Sequence, residues 1–305
     1  VQSPSLEKAK PTIAIVGCGK VGSAIGKLLG DAGYPISGVA TSNLETARTA
    51  AQLTGSLDHS DAPSKIALKG EIVFITTPDE LIESVCVEIS EQGGFQRDAV
   101  VLHCCGALSS EILAPARICG AKVATMHPLQ SFASVEQALS LMPGSFCAVE
   151  GDEKALSVVR KIVADLGGVV MEIAAEKKVL YHTAAVVASN YLVTLIHLAL
   201  ELDGAAGLDE ETSLNALFPL IQGTLDNIKK QGVTDALTGP IVRGDVATVS
   251  AHLEGMKKDT PGLVSLYRCL GLHTVRIAES KGAISQQTAD ELTALLEPVK
   301  DNQRG

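Results

Sequence analysis

Gly17-Cys18-Gly19-Lys20-Val21-Gly22 is the segment whose residue types and spacing say most about chemistry. Between a strand and a helix, the pattern G-x-G-x-x-G lets backbone N–H groups close on a pyrophosphate. Gly17 turns the chain, Gly19 clears room for the phosphates, and Gly22 lets helix and strand approach. The helix opening here offers free N–H groups and a partial positive charge to an anion. Both flanks fit: Thr12–Val16 is apolar, and Lys20–Asp31 carries Val21, Ala24, Ile25 and Leu28 on one face. A dinucleotide is the expected ligand, with residues 17–22 as its cradle.

The next apolar run discriminates between the two nicotinamide dinucleotides. Asp or Glu at its end would hold the ribose hydroxyls of NAD. Here the run ends in Thr41, Ser42 and Asn43, with no acid before Glu45. These groups can donate to a 2′-phosphate, so NADP is favoured; Arg48 reads either as a further phosphate contact or as an exposed helix charge. Two later runs end in Thr76-Thr77-Pro78-Asp79 and His103-Cys104-Cys105-Gly106. Strand ends of this kind floor the cofactor crevice, which makes Thr76, Thr77, Pro78, His103 and Cys104 candidate cofactor contacts. Asp79 is either a helix cap or a crevice contact. Cys104 and Cys105 are reactive thiols or, more commonly, small buried hydrophobes.

Further polar clusters interrupt apolar surroundings. His127-Pro128-Leu129-Gln130-Ser131 follows another strand. Tyr181-His182 and Ser189-Asn190 sit on one helical pattern, where His182 and Ser189, seven apart, share a face. Gly239-Pro240-Ile241-Val242-Arg243-Gly244-Asp245 is a turn leading into a helix. Each has a bland reading: a turn histidine at 127, a core histidine at 182, a packing amide at 190, and an N-cap Asp245 paired with Arg243. Taken as one site, His182 is the first choice for a proton donor, because histidine ordinarily titrates near neutrality, and His127 is the second. Ser189 and Asn190 would then hold the substrate's polar group. Arg243 would clasp a carboxylate, with Asp245 and Gln130 as further substrate contacts.

These residues need a scaffold. Strands at Thr12–Val16, Ile36–Ala40, Ile72–Thr76, Ala99–Leu102, Ala121–Thr125 and Phe146–Val149 alternate with helical segments, which implies parallel βαβ units. After Val169–Ile173 the β signal fades. Helical patterns take over, beginning with one long helix, Lys177–Leu202, and followed by Leu214–Lys230, Asp245–Leu253, Thr260–Ala278 and Ser285–Val299. The sequence thus predicts an α/β doubly wound, mainly parallel sheet over 1–170 and an all-α domain over 171–305. The tail Asp301–Gly305 is expected to fray.

Composition excludes some classes. The 305 residues carry 25 basic and 35 acidic side chains, a net charge of −10, which disfavours nucleic-acid binding. Aromatics are 3% with no Trp, too few for a base-stacking platform. Seven cysteines without C-x-x-C spacing suggest free thiols in a reducing cytoplasm, and no metal site is expected. The start, Val1–Lys10, lacks a signal-peptide pattern. The most apolar stretch, Tyr181–Leu200, is interrupted by His182, Ser189, Asn190 and His197. It reads as a buried helix, and no membrane association is expected.

The ordered motifs GCGKVG, TTPDE, HCCGA, MHPLQSF, YHTAAVVASN and LTGPIVRGD resemble one family, the predicted oxidoreductases with a Rossmann-like N-domain and a C-terminal domain of unknown function 2520. The resemblance runs from about Pro11 to Ala278. More distantly the plan is similar to pyrroline-5-carboxylate reductase, ketopantoate reductase and the 6-phosphogluconate dehydrogenase superfamily. It implies an NADP-dependent reductase of a small carbonyl or imine, with a ketopantoate-type 2-keto acid foremost. It also implies a substrate cleft between the domains and a homodimer through the helical domain. Relatives with a catalytic lysine four residues before the helix asparagine have Val186 at that position here. Two alternatives stay open: a dinucleotide-binding sensor or scaffold without turnover, and a deazaflavin-linked reductase.

Overall fold

The computed structural model describes residues 9–298. The polar start through residue 8 and the tail 301–305 lie outside the described residues. Eight strands form one sheet: β1 Ile13–Val16, β2 Ile36–Ala40, β3 His59–Ser60, β4 Ile72–Ile75, β5 Val100–His103, β6 Lys122–Pro128, β7 Phe146–Gly151 and β8 Val169–Glu172. Helices α1 Lys20–Asp31, α2 Leu44–Thr54, α3 Pro63–Ala67, α4 Ile82–Glu91, α5 Ala114–Ile118, α6 Val135–Leu141 and α7 Glu153–Asp165 connect them. The helical half comprises α8 Lys178–Ala188, α9 Asn190–Ala205, α10 Glu210–Ala236, α11 Val246–Asp259, α12 Val264–Ser280 and α13 Gln286–Leu296.

The strand order is β3-β2-β1-β4-β5-β6-β7-β8. Chain order reverses between β1 and β4, so the topological switch point lies there. Strands β1 to β6 pair in parallel, and β1, β4 and β5 are buried along their whole length, which is why each reads as an apolar run. Two aliphatic cores result, one on each face of the sheet.

Three features depart from the sequence reading. First, β7 runs antiparallel to β6, with Pro128 opposite Cys147. Second, the long helix is two: α8 ends at Ala188, Ser189 is its C-cap with φ −114° and ψ −65°, and α9 begins at Asn190. Third, this stretch is not a buried helix. Val179, Leu180, Val187, Tyr191 and Val193 are all exposed. By length and composition alone, the helical stretch Ala175–Ala205, with a mean hydropathy of 1.6, is long and apolar enough to cross a membrane.

The chain divides into two compact units after Asn190 rather than near residue 170. The reason lies in α8. Its first residue, Lys178, is 1% exposed, and its ammonium donates to Cys105 O at 3.0 Å and to Thr125 Oγ1 at 2.9 Å. These bonds fasten α8 to the sheet. The second unit has its own core, built by Val249, Leu253, Val275, Ala289, Leu292 and Leu296 on α11, α12 and α13.

Candidate active site

The glycine turn follows β1 at the switch point. Gly17 has φ +92°, and a Cβ there would stand 2.5 Å from Thr77 N. A Cβ on Gly22 would strike Gly17 O and Thr76 Oγ1. Both positions thus demand glycine, one for conformation and both for space. At Gly19 an added Cβ would meet nothing within 4 Å, so the open side of the turn faces free space. Gly19 is also the N-cap of α1 and supplies no side-chain cap, which leaves the first-turn N–H groups of Lys20 and Val21 available. Cys18 packs against the core, its thiol pushed up to about 12 by burial. The turn suits a dinucleotide pyrophosphate by shape and by polarity.

Thr76 Oγ1 donates to Gly17 O and so locks the strand end against the turn. Thr77 Oγ1 is buried beside it without a hydrogen-bond partner among the described residues, an orphan hydroxyl on the crevice floor. Pro78 is exposed and precedes the turn Asp79–Leu81. After β2, the three candidate phosphate ligands separate. Asn43 caps α2 through Thr46 N, and Thr41 Oγ1 donates to Asn43 O at 2.7 Å. Ser42 and Arg48 are exposed and make no hydrogen bond or ion pair among the described residues.

His103 is engaged within the loop that follows β5. His103 is fully buried; Cys105 N donates to its Nδ1 at 3.1 Å, and its Nε2 donates to Ser109 O at 3.2 Å. Both nitrogens are consumed in shaping the loop, and burial drives its pKa down to about 4. Burial likewise raises the Cys104 and Cys105 thiols, so neither is a thiolate near neutrality.

Beyond this loop the first unit opens a cavity of about 660 Å³. His127, Gln130, Tyr181, His182, Ser189 and Asn190 supply its polar lining, and Leu129, Met171 and Val186 its apolar lining. His127 Nδ1 and Tyr181 Oη lie 2.9 Å apart. The His127 and His182 rings meet edge to face, centroids 5.8 Å apart. Gly106 wedges between them: a Cβ there would stand 2.6 Å from His182 Nδ1 and 2.8 Å from His127 Nε2. His182 Nδ1 is buried with no hydrogen-bond partner among the described residues. Burial, reinforced by Lys178 and His182, lowers His127 to about 4, and burial raises Tyr181 to about 12. Both are neutral hydrogen-bonding groups at pH 7.

The structure therefore gathers His127, His182, Ser189, Asn190 and Gln130 around one cavity. Arg243 and Asp245 lie in the second unit. Asp245 caps α11 by accepting from Thr248 N at 3.0 Å, the bland reading offered for it. Arg243 is exposed in the preceding turn. Sequence reasoning passed over Tyr181 as a site residue and missed Gly106 and Lys178. For Tyr181 the neighbouring histidine was the available signal. For Gly106 and Lys178 none was, because their partners are distant in the chain. Among the described residues no group of His, Cys, Asp or Glu side chains could hold a metal ion.

Two family descriptions match the sequence: Rossmann-like domain over residues 1–128 and Domain of unknown function (DUF2520) over residues 145–274. Protein TM1727 from Thermotoga maritima is 32% identical, and the match covers 88% of this chain and 99% of that one with a TM-score of 0.70. The chain belongs to this Rossmann-like, DUF2520-containing family. The protein BF3122 from Bacteroides fragilis, described as an NADP oxidoreductase, is 22% identical over 89% of this chain and 99% of its own, with a TM-score of 0.70. The 1-pyrroline-5-carboxylate reductase of Streptococcus pyogenes is 17% identical over 94% and 100% of the two chains, with a TM-score of 0.60. At these identities the likeness to the latter two is one of fold. No curated protein matches the chain.

Proposed function

We propose that this family member is an NADP-dependent oxidoreductase that reduces a small carbonyl or imine. The observation that carries the reading is a shared edge. The glycine turn after β1 and the strand ends of β4, β5 and β6 open on the carboxyl side of the parallel sheet, where α/β proteins of this class bind ligands. The fold shared with an NADP oxidoreductase and a pyrroline-5-carboxylate reductase supports the same conclusion. Gly17 to Gly22 and Thr77 would hold the pyrophosphate end, and Ser42 and Arg48 the 2′-phosphate.

Bound NADPH supplies a hydride; the chain's residues orient the substrate and move the proton. His182 is the proposed acid. Its Nδ1 is buried against Gly106, so delivery falls to Nε2. Tyr181 Oη, held by His127, offers a second hydrogen bond to the substrate oxygen or nitrogen. Ser189 and Asn190 hold a polar substituent, and Leu129, Met171 and Val186 pack against the apolar body. The cavity lining has no lysine or arginine. A ketopantoate-type 2-keto acid is the leading substrate.

The test is NADPH oxidation with a panel of 2-keto acids, cyclic imines and aldehydes, ketopantoate first. A turned-over substrate should lose on the order of 10²–10⁴ in kcat with His182→Ala while NADPH affinity holds. Tyr181→Phe should cost roughly ten-fold, the worth of one neutral hydrogen bond. Unchanged kcat in His182→Ala would remove it as the acid. No turnover of any substrate by a protein that binds NADPH would favour a sensor.

A further inference from the structure

We propose that Lys178 is a positioning residue for the His127–His182 pair, acting through the Cys105–Gly106 turn and through its own charge. The inference deepens the reductase reading and rests on it for its catalytic consequence; its structural content stands apart.

Lys178 does not line the cavity. It is almost fully buried, which is rare for lysine unless the group is paired or has work to do. Its ammonium joins three elements: α8, which carries it, β6 through Thr125 Oγ1, and the turn after β5 through Cys105 O. Each leads directly to the pair. Thr125 is two residues before His127 on β6. Lys178 is four before His182, one helical turn along α8. Cys105 immediately precedes Gly106, the wedge between the two rings. One side chain thus fixes the register of all three groups, and no other bond among the described residues ties the same three segments together.

The charge matters as well. Desolvation lowers the Lys178 pKa, while the carboxylates of Glu150 and Asp79 favour its charged form. Glu150 is itself anchored, accepting from Ser110 N at 2.7 Å and Ser110 Oγ at 2.8 Å. Facing His127 are Lys178, Tyr181 and His182 on α8, His103 on β5, and Asp79 after β4. Of these, Lys178 is the fixed cation. A cation beside an imidazole disfavours the imidazolium, so Lys178 adds to the burial that makes His127 a neutral partner for Tyr181 Oη.

The experiment is a histidine NMR titration of the full chain, wild type against Lys178→Met, with the pH profile of kcat/KM in parallel. In folded Lys178→Met the His127 midpoint should rise by about one pH unit. The acid limb of the pH profile should move with it, and Lys178→Arg should restore the wild-type midpoint. A folded Lys178→Met with an unchanged His127 midpoint overturns the proposal. Should that variant not fold, a titration of wild-type protein with ¹³C-labelled lysine decides: Lys178 must remain charged through pH 8, and deprotonation below pH 7 overturns the proposal. Failure of the reductase reading would appear separately, as wild-type protein that neither binds NADPH nor turns over substrate while the His127 shift is still present.

Discussion

His103 and His127 are both held near pKa 4, against an ordinary 6.5, mainly by burial. The unfolded chain binds protons on these rings between pH 6.5 and 4; the folded chain does not. Stability therefore rises with pH across that window and falls as the solution is acidified through it. Each ring accounts for about 3 kcal/mol once the pH is below both values, at 1.36 kcal/mol per unit. Carboxylates with lowered pKa, such as Asp152 and Asp165, lose their contributions further down the acid range. The urea midpoint should thus decline already between pH 6.5 and 4.5. His103→Asn, which can keep the acceptor for Cys105 N, should reduce that slope by about half. A midpoint flat over this interval would mean that the two rings titrate normally.

At the scale of the element, the proposed preference for NADP is carried by the turn from β2 into α2. Asn43 caps α2 and Thr41 Oγ1 donates to Asn43 O, so the proposed discrimination rests on Ser42 and Arg48. Arg48→Ala should weaken NADPH binding roughly ten-fold, about 1.4 kcal/mol, and leave NADH unchanged in a fluorescence titration. Equal losses for both would assign Arg48 a structural role. This turn also marks how far the sequence could be read. Its residues and the bounds of β2 were legible, because a doubly buried strand is an apolar run with polar ends. What those polar ends bond to was not. The same holds elsewhere. Gly17, Gly19 and Gly22 announce themselves because the motif is local. The two-residue β3 and the short α3 are below the length at which periodicity speaks. Lys178 looks like any helix-start lysine, since its partners Cys105 and Thr125 lie 73 and 53 residues away. His182 could be picked out as a polar break in an apolar helix, but its burial against Gly106 required the fold.

At the scale of the whole molecule, the second unit is unevenly provisioned. Its core belongs to α11, α12 and α13. Along α9 and α10, Val193, Leu195, Leu214, Phe218, Leu220 and Leu225 are exposed, Phe218 by 61% and Leu220 by 66%. Scattered apolar residues need no explanation, but a repeated set on two consecutive helices does. A second copy of the chain is the occupant we propose. A two-fold interface uses the same surface twice, so one apolar face covers itself. Light scattering at micromolar concentration should report twice the 31.6 kDa chain mass. The double variant Phe218→Asp, Leu220→Asp should shift the population to monomer and lower the melting temperature, because each face would then be left in water. A wild-type monomer would refute the dimer. Retention of the wild-type chain on lipid vesicles would instead assign the apolar stretch Ala175–Ala205 to a bilayer, the other environment its hydropathy permits.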